Sequence, residues 1–402
     1  MLRQISSRIA LRRSSQIIFM IMFVLLQFLV VGVAFLGGYF VSQWTSGDPL
    51  QIGMGSGFPL FNEAYDLLKD NAYFDLPESK KLEYGMIRGL LTAVNEPYTV
   101  FVEPPQHELQ SDQLSGKFGG IGVRVERDAE NFVYIYPLPS SPALAAGVQD
   151  GDRLLAVEAL SITPETPNEE IHAAIRGKVG EKVRITVGRA PAYSPIELTV
   201  ERAEVPLPSV TAILAPDQPS VGVIYVNVIA ETTPDEILKA VEDLKSRGAS
   251  RFIIDVRNNG GGLVEAGVDT ARLFLKNGVV IEEQYRDQPV KPFKVEKDGP
   301  LADLPVVILV NRGTASAAEI FAGAIKGQGR APIIGTRTFG KDTIQLVFSL
   351  SDGSSLHVTA AHWWVPGLEP KIGGNGIQPD VPMEEGADEN LYLQKAIETV
   401  LR

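Results

Sequence analysis

Pro305-Val306-Val307-Ile308-Leu309-Val310-Asn311-Arg312-Gly313-Thr314-Ala315-Ser316-Ala317-Ala318-Glu319 carries an unbroken apolar run into a small-residue turn and then a helical pattern reaching Ile325. An apolar run without alternation, bounded by turn residues, reads as a strand buried on both faces. Ser316 then falls in the first turn of the following helix. Unpaired backbone amides and the positive end of the helix dipole favour a developing anion there. Small neighbours leave room for a substrate, although a serine at this position is most often only a cap.

An alternation of strands and helices begins at about Val205 and includes this stretch. Val221–Val228 reads as a strand, and Thr233-Pro234-Asp235-Glu236 opens a helix that stops at Gly248. Arg251–Val256 is a second buried-type strand, followed by helical Val264–Leu275 and, later, a short strand Ala331–Ile334. Ile344–Leu350 and Ser355–Ala361 form a hairpin around Asp352-Gly353, and Asn390–Leu401 is a closing helix. This is an α/β core.

Two further segments of that core carry chemistry. Lys341 lies in Thr338-Phe339-Gly340-Lys341-Asp342-Thr343-Ile344-Gln345. A lone lysine is normally a solvated surface charge. The flanking glycine and aromatic, and the apolar strand that follows, point to partial burial, which disfavours the ammonium. A neutral lysine can take a proton from serine. If the strand begins at Lys341, Gln345 projects from the same face. Asp255-Val256-Arg257-Asn258-Asn259-Gly260-Gly261-Gly262 ends a strand with three glycines. That is either a plain turn or a set of backbone amides offered to an oxyanion.

Upstream, residues 116–204 read as a strand-rich module. Strands are expected at Gly122–Glu126, Phe132–Tyr136, Arg153–Val157, Lys182–Val187 and Ile196–Arg202. A short helix runs over Pro142–Gly147. A second starts at Pro167, with Thr166 and Glu169 as a capping box. The pair Gly119-Gly120-Ile121-Gly122 and Ser141-Pro142-Ala143…Ala146-Gly147-Val148…Gly151-Asp152 resembles a PDZ domain. The resemblance implies strand addition of a peptide C-terminus, with the amides of Gly119, Gly120, Ile121 and Gly122 at the carboxylate.

Ile17–Val41 is a stretch of 25 residues without a charge. As a helix it would be about 37 Å long, enough to cross a hydrocarbon core of roughly 30 Å. Arg3, Arg8, Arg12 and Arg13 all precede it, which places the N-terminus in the cytoplasm and the remainder outside. The expected organisation is a basic cytoplasmic segment 1–16, a membrane helix 17–41 and a linker 42–57. A helical region 58–115, with patterns near Phe61–Leu68 and Lys80–Val94, the module 116–204 and the core 205–402 follow.

Composition narrows the chemistry. Among 402 residues there is no cysteine, which excludes disulfides and thiolate sites, and there are only four histidines. The 37 basic residues less the four N-terminal arginines leave 33 against 49 acidic ones. So acidic a body argues against nucleic acid as a partner. Gly335-x4-Gly340-Lys341 lacks the Ser or Thr of a phosphate-binding loop, because Asp342 follows. His357 and His362 lack the zinc-peptidase pattern and read as packing or surface residues; no metal or cofactor is expected.

The order of the Asp255–Gly262, Asn311–Glu319 and Gly335–Gln345 segments resembles the carboxyl-terminal processing, or tail-specific, serine peptidases of family S41. Tyr98-Thr99-Val100-Phe101 and Gly376-Ile377-Gln378-Pro379-Asp380 belong to the same resemblance. It implies Ser316 as nucleophile, Lys341 as general base and Gln345 as the residue orienting the lysine. It also implies an oxyanion hole from the amides of Ala317 and Gly262. The implied partners are proteins or peptides with exposed C-terminal tails. Two residues depart from the family pattern: Gly260 stands where proline is common, and Asp342 where glycine is common. A carboxylate beside Lys341 would weaken the base, so Asp342 favours the competing reading of a membrane-tethered, catalytically impaired PDZ adaptor. Strand geometry sends it to the opposite face. An acyl-CoA enzyme of the enoyl-CoA-hydratase type, which also uses backbone oxyanion holes, fits an exported chain with a PDZ insertion poorly.

Overall fold

The computed structural model describes residues 58–402. The segments 1–16, 17–41 and 42–57 lie outside the described residues. Among the described residues no helix is long and apolar enough to cross a membrane. The chain divides after Leu82 into two units. In the first, helix Pro59–Asn71 starts on a proline, whose fixed φ suits a first turn. Helix Ser79–Val94 spans the division.

The core of the second unit is a six-stranded sheet. Val210–Ala215 pairs antiparallel with Gln218–Val226, and Arg251–Asp255, Val306–Val310, Ile333–Gly335 and Val381–Pro382 then add in parallel. The apolar runs are explained by burial on both faces. Phe252, Ile254, Val306, Ile308 and Val310 face helices Thr233–Ser246, Val264–Arg272 and Ala317–Gly327. Their alternates Ile253, Val307 and Leu309 face Tyr392, Ala396 and Val400 of helix Glu389–Val400. Every residue from Ala317 to Ile325 is buried, so the helix behind Ser316 is fixed on all sides.

A second, antiparallel sheet carries the lysine segment. Ser355–Trp364 pairs with Val100–Val102, Val279–Tyr285 and Thr343–Ser349, and Lys291–Lys294 adds to Val279–Tyr285. The β-rich module has its own core, including Ile121, Ile135, Leu154, Ile171, Ile185 and Val200. Val123–Arg127 is an edge strand of its sheet, paired among the described residues only with Val133–Pro137. A two-stranded ribbon of Lys117–Gly120 and Ala203–Pro206 leads the chain in and out.

Several local expectations are corrected. Helix Asn168–Ile175 has no capping box: its N-cap is Pro167, and the Thr166 hydroxyl instead accepts from the amide of Thr163 at 2.9 Å. Helix Pro104–Ser115 lies within the expected helical region 58–115, but without an apolar stripe it gives no periodic pattern of its own. Strands Val210–Ala215, Val279–Tyr285 and Lys291–Lys294 add to the expected elements. Ser316 is the residue before the helix, not within its first turn.

Candidate active site

Ser316 is the N-cap of helix Ala317–Gly327, with φ 53° and ψ −120°. A non-glycine residue there costs about 1–3 kcal/mol and persists only where its surroundings enforce it. The enforcing contacts run through the turn. Thr314 donates its hydroxyl to the Val256 carbonyl at 2.8 Å and accepts from the Asn311 amide at 3.0 Å. The Ala315 amide donates to the Asn259 carbonyl at 2.9 Å. A serine on a strained strand-to-helix turn is also the setting of nucleophile elbows.

The glycine turn packs directly against this serine. Asn259 is fully buried, donates to the Val226 carbonyl at 2.8 Å and accepts the Gly261 amide at 2.9 Å. Gly261 has φ 104°, and a Cβ on it would lie 2.8 Å from Cβ of Ser316, so only glycine fits. Gly262 forms a parallel bridge with Ile229: the Ile229 amide donates to Gly261, and the Leu263 amide donates to Ile229. The flanking residues make both bridge bonds, which leaves the Gly262 amide directed to the other side. Asp255, buried at the strand's end, receives a two-pronged hydrogen bond from Arg257 that braces the turn.

Glu319 joins the serine and lysine segments. It is fully buried, and four donors converge on its carboxylate. Oε2 accepts the amides of Ser316 at 3.0 Å and Lys341 at 2.9 Å. Oε1 accepts the Gly340 amide at 2.7 Å and the Thr338 hydroxyl at 2.5 Å. Burial pushes this carboxyl up, against the pull of those four hydrogen bonds.

Lys341 is half-buried. Burial lowers its pKa from the ordinary lysine range, partly offset by the Glu96 carboxylate. Its Nζ donates to Oε1 of Gln345 at 2.5 Å, and Nε2 of Gln345 donates to the Tyr98 carbonyl. The two side chains meet although the parity argument fails. The strand starts only at Thr343, and its register shifts between Ile344 and Gln345. Asp342 turns its carboxylate to Nδ1 of His362 at 3.5 Å.

These residues line one cleft of about 520 Å³, shared by Gly260, Gly261, Gly262, Ser316, Lys341 and Gln345. Gln110, Gln113 and Leu114 of helix Pro104–Ser115 form another wall. His357 also lines it and bonds Ser355 Oγ at 3.1 Å. Its pKa is lowered by burial and by His107 and Lys341. Of the expected carboxylate-binding residues, Gly119 and Gly120 are the last two of the ribbon strand, paired with Glu204 and Ala203, and only Ile121 and Gly122 lie between the ribbon and the edge strand Val123–Arg127. Among the described residues no cluster of His, Asp or Glu could hold a metal ion.

A strained serine at a buried helix N-terminus, sharing a cleft with a partly buried lysine, defines a hydrolase-type site. A family profile described as Peptidase family S41 matches residues 220–383. The carboxy-terminal processing protease CtpA of Bacillus subtilis (strain 168) is 33% identical over 330 residues, covering 82% of this chain and 69% of that protein. A carboxyl-terminal-processing protease of Picosynechococcus sp. is 35% identical over 326 residues, covering 78% of each. Among solved structures, a photosystem II D1 C-terminal processing protease is similar, at 28% identity, 85% and 90% coverage and a TM-score of 0.45. The chain belongs to peptidase family S41, the carboxyl-terminal processing serine proteases.

Proposed function

We propose that this protein is a membrane-anchored endopeptidase that cleaves proteins bearing exposed C-terminal tails through a Ser316–Lys341 acyl-enzyme mechanism. One observation carries the reading: Ser316, strained at a helix N-terminus, shares its cleft with a lysine whose Nζ rests on Gln345. Neutral Nζ takes the proton from Oγ of Ser316 as Oγ attacks the scissile carbonyl. The amides of Ala317 and Gly262 receive the oxyanion. The ammonium returns the proton to the leaving amine. Water, deprotonated by the same lysine, then releases the acyl group and restores Ser316. Asp342, the feature favouring an impaired adaptor, carries its carboxylate to His362.

The anchor and the tail recognition belong to this proposal. Residues 17–41 would hold the enzyme in the cell membrane by a single span, N-terminus in the cytoplasm and catalytic part outside. Residues 116–204 would act as a PDZ domain. Support comes from the open edge strand Val123–Arg127, which follows directly on Ile121 and Gly122 and suits strand addition.

The pH dependence follows from the lysine. The base works uncharged and its pKa is lowered by burial, so kcat/KM should rise with pH through one ionisation below the ordinary lysine range. Initial rates on an unfolded protein substrate measure this. A flat profile from about pH 6 to 9 speaks against Lys341 as the base.

A further inference from the structure

We propose that the segment Glu96–Tyr98 is a positioning element of this site, in which Tyr98 fixes Gln345 and caps Lys341 while Glu96 anchors the segment and faces the lysine with its charge. The inference rests on the Ser316–Lys341 reading and adds residues to it.

The geometry is a relay of polar ends. A glutamine amide donates at one end and accepts at the other. The Tyr98 carbonyl can only accept, so it selects Nε2 of Gln345 and turns Oε1 toward Nζ of Lys341. The reversed amide would set oxygen against oxygen and donor against donor. Gln345 thus orients the lysine only while Tyr98 holds it. The Tyr98 ring meanwhile stands 5.1 Å from Nζ and covers the amine from water.

Tyr98 is itself tied down. Glu96 accepts the Tyr98 amide at 3.2 Å on Oε1 and the Thr359 hydroxyl at 2.8 Å on Oε2. The Thr359 amide donates to Oγ1 of Thr99 at 3.2 Å. Val100–Val102 then continues as a strand on Ser355–Trp364, with Val100 opposite His357. Burial works to raise the Glu96 carboxyl, but hydrogen bonds from Thr99, Thr359 and the neighbouring amides win and hold it below its ordinary value.

Two opposed influences on Lys341 follow. The ring excludes water, which disfavours the ammonium; its cation–π attraction favours the ammonium more weakly. Glu96 favours the ammonium. The other ionisable groups nearby are His357, with His107 behind it, and Glu319, which binds the backbone amide of Lys341. Asp342 is engaged with His362.

The test is the acid limb of kcat/KM against pH, measured with the full-length protein in detergent on an unfolded protein substrate. Tyr98→Ala rehydrates the amine, and the limb should move up by about one pH unit, a loss of about tenfold on the limb that is regained at high pH. Tyr98→Phe keeps ring and carbonyl and should restore the wild-type limb. Glu96→Gln is nearly isosteric and should move the limb down. General damage to the fold would not send the two variants in opposite directions. An unmoved limb in Tyr98→Ala, or both variants moving the same way, overturns the proposal. If Tyr98→Ala does not fold, Glu96→Gln decides alone, and an unshifted limb is the contrary result. Lys341→Ala separates the failures. If it is inactive while the Tyr98→Ala profile matches wild type, only the positioning role falls. If it stays active, the lysine-base reading falls and this inference with it.

Discussion

Ser316→Ala is expected to cut proteolysis of an unfolded substrate by about 10⁴-fold or more, leaving only what positioning and the oxyanion donors supply. The fold should be untouched. The hydroxyl is one atom, and the helix behind it is held by buried residues from Ala317 to Ile325. The strain at φ 53° is borne equally by alanine. Ser316→Gly, equally inactive, should melt no lower than Ser316→Ala, because glycine takes positive φ without steric cost. Thermal melting beside initial rates measures both. A Ser316→Ala enzyme with wild-type turnover would require another nucleophile.

Glu319→Gln should be the most damaging isosteric change in the molecule. The Ser316, Gly340 and Lys341 amides and the Thr338 hydroxyl all donate to this carboxylate. Thr338 Oγ1 already accepts the Ile377 amide at 2.7 Å, and if its second lone pair took an amide NH₂ its own proton would lose the acceptor it has in Glu319. An amide side chain can accept from only one pair of donors. Whichever way it lies, its NH₂ meets the other pair in a site with no solvent. Each buried donor left unpaired costs about 1–3 kcal/mol, so a loss of about 3 kcal/mol or more is expected in urea unfolding. Activity should fall further than stability explains, by about 10² in kcat for a misplacement near 1 Å. Glu319 is the shared support of both the serine backbone and the lysine backbone. Unchanged unfolding and unchanged kcat would mean that the carboxylate merely fills space.

The parts of this fold legible in the sequence are those written in side-chain pattern. Arg251–Asp255 and Val306–Val310 advertised burial on both faces by having no polar alternation, and they form the centre of the parallel sheet. Ser316, Lys341 and the Gly260–Gly262 turn stood out as small or charged residues at element ends, and one cleft gathers them. What stayed hidden depends on backbone groups or on long-range partners. Glu319 resembles an ordinary first-turn acid until residues 338–341 arrive to donate to it. The part played by Tyr98 is a carbonyl, which no residue type announces. Lys341 and Gln345 meet through a bulge that side-chain parity does not foresee. Helix Pro104–Ser115 lacks the apolar stripe that periodicity detects. Its signals were Pro104 at the start and Gly116 in a left-handed conformation at the end.

The most direct measurement is covalent labelling of Ser316 by an acylating serine probe, followed by intact mass and peptide mapping across pH in wild type and Lys341→Ala. One adduct on Ser316, forming faster as pH rises through an ionisation below the ordinary lysine range, and about 10³-fold slower without the lysine, is the expected outcome. Equal labelling of both proteins, or an adduct on another residue, would contradict a serine activated by an uncharged lysine.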